Sequence, residues 1–125
     1  MQTVNVRYIV NNLDTALSFY CQKLGFEVEM NPTSGFALLS KGVLHLFLNT
    51  VDAGGGGQEM PDGETPKPGG WNRIQLTVDD LGAEVKRLRE EGAKFRNNIV
   101  EGKGGKQILL EDPSGNFIEL FESNR

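Results

Sequence analysis

Three side chains have the types and settings that bear on chemistry: His45, Glu119 and Arg73. His45 is the sole histidine and interrupts the apolar run VLHLFLN (43–49). Glu119 interrupts NFIELFE (116–122) in the same way. An imidazole and a carboxylate that meet can share a substrate proton or hold a divalent cation. Arg73, in NRIQLTV (72–78), is of another kind. Its guanidinium is always cationic and has no lone pair, so it pairs with anions and orients oxygens but ligates no metal. One histidine makes no site by itself, so everything depends on which elements carry these groups.

The rest of the chain narrows the chemistry. No serine or cysteine stands beside a histidine in a nucleophile motif. Cys21 is the sole cysteine, which excludes an internal disulfide and a cysteine-based zinc cluster. The glycine runs GGGG (54–57) and GKGGK (102–106) lack the G-K-[ST] and the helix opening of a phosphate loop. They read as a linker and a hairpin turn. The chain has 125 residues, which bounds it to one domain with room for a hydrophobic core. Seventeen acidic against thirteen basic residues give a net charge of −4, which speaks against nucleic-acid and anionic-membrane partners. No apolar run approaches the ~20 residues of a membrane span. The opening MQTVNVRYIV has no signal-peptide pattern, so the expected location is cytoplasmic.

The elements that position these residues come in two similar sets. Val4, Val6, Tyr8 and Val10 alternate with polar residues, as in a strand with one apolar face. Leu13, Ala16, Leu17, Tyr20 and Leu24 then recur at helical spacing, with Asn12 as N-cap and Gly25 as stop. Strand-like FEVEM, GFALLS and VLHLFLN follow, separated by the turns Asn31-Pro32 and Lys41-Gly42. Residues 51–70 are half glycine and proline, so they form a linker without helix or strand. Beyond them NRIQLTV reads as a strand, DDLGAEVKRLREEG as a helix ending at Gly92, and AKFRNNIV, KQILLE and NFIELFE as strands. Aligning the openings sets Asn5 on Arg73 and Leu13 on Leu81; aligning the closing strands sets His45 on Glu119. The chain is an internal duplication: module 1 (1–50), linker (51–70) and module 2 (71–125).

Strand parity then collects the polar groups. If Leu44, Leu46, Ile118 and Leu120 pack on helices, Val43, His45, Phe47, Phe117, Glu119 and Phe121 share the opposite face. Asn5, Arg7, Ile9, Arg73, Gln75 and Thr77 join it from the opening strands. Aromatic rings beside a few placed polar groups are what a small-molecule site requires. Phe19 and Tyr20 belong instead to the packing of the first helix.

The duplicated βαβββ unit, the segment LDTALSFYCQKLGFEV and the ending EDPSGNFIELFE resemble the vicinal oxygen chelate superfamily over nearly the whole chain. That superfamily includes glyoxalase I, extradiol dioxygenases, fosfomycin-inactivating transferases and bleomycin-binding resistance proteins. The resemblance implies an α+β fold of two tandem βαβββ modules in a cupped, barrel-like mixed sheet with helices outside. It also implies a homodimer. Metal-dependent members take one ligand from each of four strands, and those positions correspond here to Asn5, His45, Arg73 and Glu119. His45 and Glu119 suit a divalent ion, Asn5 is weak, and Arg73 cannot serve.

The expectation is therefore a protein without cofactor that binds a small, partly aromatic molecule and does not convert it, as the antibiotic-sequestering members do. Its ligand would contact Asn5, Arg7, His45, Phe47, Trp71, Arg73, Gln75, Phe117, Glu119 and Phe121, with the 54–70 loop closing over it. The alternative is an enzyme, with His45 and Glu119 as acid–base pair or as ligands of a divalent metal.

Overall fold

In the computed structural model, which describes residues 3–124, the alternating segment that opens the chain is strand β1 (Asn5–Val10). Its even-numbered side chains Tyr8 and Val10 are buried. Asn12 then caps helix α1 (Leu13–Leu17), its Oδ1 accepting from the Thr15 N–H at 2.9 Å. The helix widens into a π-helical stretch over Ser18–Lys23 and stops at Gly25, which takes a φ of +78°. Three antiparallel-linked strands follow: β2 (Glu27–Thr33), β3 (Phe36–Lys41) and β4 (Leu44–Thr50). The sheet order is β1-β4-β3-β2, with β1 parallel to β4.

The second set repeats this plan. Strand β5 (Ile74–Thr77) leads to helix α2 (Leu81–Glu90), capped by Asp80 Oδ1 on the Ala83 N–H at 3.0 Å. Then come β6 (Lys94–Phe95), β7 (Val100–Glu101), β8 (Gly105–Glu111) and β9 (Phe117–Ser123). The order is β5-β9-β8-β6, with β7 also on β8 and β5 parallel to β9. The chain divides between Pro68 and Gly69 into two units, one sheet in each. Both are α+β, as the duplication implies. The 51–70 segment holds no helix or strand and runs as successive turns.

Each unit buries one face of its sheet. In the first, Val10, Ala37, Leu39, Leu46 and Leu48 are fully covered, with Tyr20 beneath them. The Tyr20 ring meets Phe19, Phe26 and Tyr8 edge-on at 5.0, 5.5 and 6.5 Å. Phe19 and Tyr20 thus pack the helix, as their spacing implies. In the second unit, Leu81 and Leu88 of α2 bury with Ile108, Leu110, Ile118 and Leu120. Each such side chain contributes about 1.5–3 kcal/mol by leaving water.

Three sequence expectations need correction. Asn31 and Pro32 form no turn; they lie inside β2, and the turn is Ser34–Gly35. Proline is tolerated there because β2 is an edge strand whose ladder to β3 is bulged between Val28 and Thr33. AKFRNNIV is not one strand but two short pieces, β6 and β7, that pair with opposite ends of β8. Val43 sits before β4, 98% exposed, and belongs to no face.

The two N-caps are equivalent devices and separable from the core. Asn12→Ala and Asp80→Ala should each cost about 1 kcal/mol in urea unfolding, without change in the slope of the transition.

Candidate functional site

The polar face of the second unit is built around one carboxylate. Glu119 stands on β9, between β5 and β8, opposite Gln75 and Leu109. It is only 8% exposed. Such a group needs partners, because an unpaired buried charge costs several kcal/mol. Arg73 donates from Nε to Oε1 at 3.0 Å, and its Nη2 lies 2.9 Å from the same oxygen as an ion pair. The Gln75 amide donates to Oε2 at 2.6 Å. Both oxygens are therefore engaged, one by Arg73 just before β5 and the other by Gln75 within it.

Aromatic groups border this ion pair. Trp71 is 60% exposed and lies against the buried Phe117, ring centroids 5.1 Å apart. Arg96 reaches over both rings, its Cζ 4.9 Å from the Trp71 centroid and 5.5 Å from that of Phe117. The Arg73 Nη1 also donates to the Trp71 carbonyl at 3.3 Å. The DPSGN turn holds this corner. Buried Asp112 accepts from the Ser114 and Asn116 N–H groups at 2.8 and 2.9 Å. Asn116 in turn donates to Asp112 Oδ2 at 2.9 Å and accepts from the Gly69 N–H at 2.8 Å. The turn thereby fixes where the chain enters β5 and so where Trp71 begins. Phe121, half-buried, lies one step further along the same face, opposite Thr77 and Gln107.

In the first unit the same parity presents Asn5, Arg7 and Ile9 beside His45, Phe47 and Asn49. His45 is half-buried between Asn5 and Ser40 and makes no hydrogen bond through its ring among the described residues. Arg7 is more committed. Its Cζ lies 5.0 Å over the Phe47 ring, and its Nε donates to Asn49 Oδ1 at 2.9 Å. Phe47 stacks on Phe36 at 5.5 Å. The linker reaches this cluster through Gly56, where a Cβ would collide with the Arg7 guanidinium. Glycine is the residue that permits this approach. Cys21, on the helix, is part-buried, and burial pushes its thiol pKa up, which keeps it a weak nucleophile.

The ladders bring most of these residues onto the faces their parity implies, with one shift of register. The ladders set Asn5 opposite His45 but Gln75, not Arg73, opposite Glu119. The caps Asn12 and Asp80 keep the sequence alignment, so the strand-to-helix connector absorbs a two-residue shift. Parity survives it, and Arg73 still reaches Glu119 by the length of its side chain. Asn49, Phe36, Arg96, Asp112 and Asn116 were missed. Asn49 was findable, because it shares parity with His45 and Phe47 in VLHLFLN. Arg96 had no periodic signal, because its strand is broken. His45 belongs to the first unit and Glu119 to the second.

A divalent metal at the four strand positions is tested by the donors present. Asn5 offers a neutral amide, Arg73 has no lone pair, and both oxygens of Glu119 are taken. No group of three or more His, Cys, Asp or Glu comes together among the described residues. The donor set does not fit such an ion.

Residues 3–120 match the family described as Glyoxalase/Bleomycin resistance protein/Dioxygenase superfamily. A lactoylglutathione lyase of Salmonella typhimurium is 26% identical, over 98% of this chain and 93% of its own. A superfamily member from Sphaerobacter thermophilus has the same fold, with TM-score 0.76 and 26% identity over 98% of both chains. A lactoylglutathione lyase from Agrobacterium tumefaciens shares the fold at TM-score 0.72, with 17% identity over 97% of this chain and 92% of its own.

The ion pair itself makes a prediction about stability. Arg73→Met leaves Glu119 covered with only Gln75 as partner and should cost about 2–3 kcal/mol in urea unfolding. Arg73→Met with Glu119→Leu should recover most of that loss. A double variant no more stable than the single one would show that pairing is not what Arg73 supplies.

Proposed function

The chain belongs to the Glyoxalase/Bleomycin resistance protein/Dioxygenase superfamily, and from that premise we propose that it binds a small, partly aromatic molecule without a resident metal. The observation that carries this reading is the double engagement of Glu119. Arg73 and Gln75 occupy the carboxylate that a metal-dependent relative would turn to its ion. In this reading the open flank of Trp71 stacks on a flat part of the ligand, with Phe117 behind it. The ligand leaves unchanged, as with the sequestering proteins after which the superfamily is partly named.

A second reading follows from the 26% identity to a lactoylglutathione lyase over nearly the full chain. It makes this protein an enzyme, with His45 or Glu119 handling a proton. Arg73 stands against it, because a lyase of this kind would have to release Glu119 from an arginine ion pair and a glutamine.

Two measurements separate these readings. Protein purified without added metal should contain no stoichiometric transition metal and show no lactoylglutathione lyase activity when zinc or nickel is supplied. Bound metal lost in both His45→Ala and Glu119→Ala would overturn the sequestration reading. With bleomycin as the first probe, saturable binding with the compound recovered intact is expected. Trp71→Ala should weaken that binding by about 0.5–1.5 kcal/mol, roughly 2- to 12-fold in Kd.

A further inference from the structure

Away from the Glu119 clamp, the second unit has an open hollow of about 360 Å³ lined by Arg89, Ala93, Phe95, Arg96, Asn97 and Asn98. Two guanidiniums face it, and neither has a carboxylate partner among the described residues. Both arginines are exposed, so their N–H groups are open to an incoming acceptor. The nearby acids are spoken for: Glu91 and Glu84 bind Arg87 at 2.7 and 2.9 Å, and Glu111 lies 4.0 Å from Lys94. Glu90 is exposed on α2 and forms no ion pair among the described residues.

The arginines are held by rings, not by anions. Arg89 Cζ lies 5.2 Å over Phe95, and Arg96 Cζ lies 4.9 Å over Trp71. A cation held on a ring face keeps its N–H groups for other acceptors. Arg89 also covers the one large apolar wall of the hollow. The Asn97 Oδ1 accepts from the Leu109 N–H at 3.3 Å and its amide nitrogen donates to the Asn98 carbonyl at 2.7 Å, so this loop is fixed. The carbonyl-rich end of α2 does not repel an anion strongly, because its last carbonyls already accept from Glu91, Gly92 and Ala93.

We infer that this hollow binds a phosphate group, either inorganic phosphate or the phosphoryl end of a small polar phosphomonoester. Arg89 and Arg96 donate to its oxygens and the Asn98 amide completes the cradle. The reasons are two uncompensated planar forks, a polar lining and a volume at the lower end of small-molecule sites. This site is separate from the ligand proposed above, and Arg96 is the residue that touches both regions.

Arg96 also provides the readout. Trp71 is the sole tryptophan, so its fluorescence reports any change in the cation above it. Titration with inorganic phosphate and, separately, glycerol 3-phosphate, at constant ionic strength held with chloride, should give a saturable change in emission or a saturable calorimetric signal. Tighter binding of glycerol 3-phosphate assigns a phosphomonoester, and equal binding assigns phosphate itself. Arg89→Gln, which touches neither Trp71 nor Glu119, should raise the Kd at least tenfold while far-UV circular dichroism stays unchanged. The inference is overturned if neither probe saturates by either method, or if Arg89→Gln binds as the unaltered protein does.

Discussion

A carboxylate on the central part of a sheet cannot stay charged and alone, and in this protein that constraint organises the second unit. Glu119 occupies a covered position on β9. Gln75 comes to it from the parallel neighbour β5, and Arg73 reaches it from the residue just before that strand. The same arginine ties the Trp71 carbonyl. The DPSGN turn ties Gly69 just upstream. Charge satisfaction and the placing of the exposed tryptophan are thus one connected arrangement.

The first unit uses the same strand plan for a different end. Its arginine, Arg7, meets no acid among the described residues; it lies on Phe47, bonds Asn49 and receives Gly56 of the linker against it. A guanidinium serves both settings because it is planar, stacks on rings and donates from its edge. His45, at the position matching Glu119 in the closing strand, has no such commitment among the described residues. The duplication therefore kept the frame and let the chemistry on its open faces diverge.

Much of this was legible in the sequence. The period of two in NRIQLTV and NFIELFE fixed which side chains share a face, and parity is insensitive to a two-residue slip in register. That is why Arg73, Gln75 and Glu119 were grouped correctly although their ladder positions were not. The N-cap Asn12 was readable for a similar reason: capping is local, decided within one turn of helix. Asn31-Pro32 misled because a proline signals a turn unless the strand lies at a sheet edge, and edges are set by neighbours remote in sequence. Arg96 was invisible because the broken pairing of β6 and β7 erases any alternation.

The sequence by itself determined the duplicated βαβββ plan and which side chains within each strand share a face. These follow from local periodicity and from side-chain chemistry that no fold can alter. Only the tertiary structure decided how the polar groups pair: which oxygens of Glu119 are taken, what holds Arg7, and that Arg89 and Arg96 share a hollow while resting on rings. Pairing depends on distances of a few ångströms between residues more than forty positions apart for Arg73 and Glu119. Such distances are set by the register and twist of strands, which one-dimensional pattern does not contain.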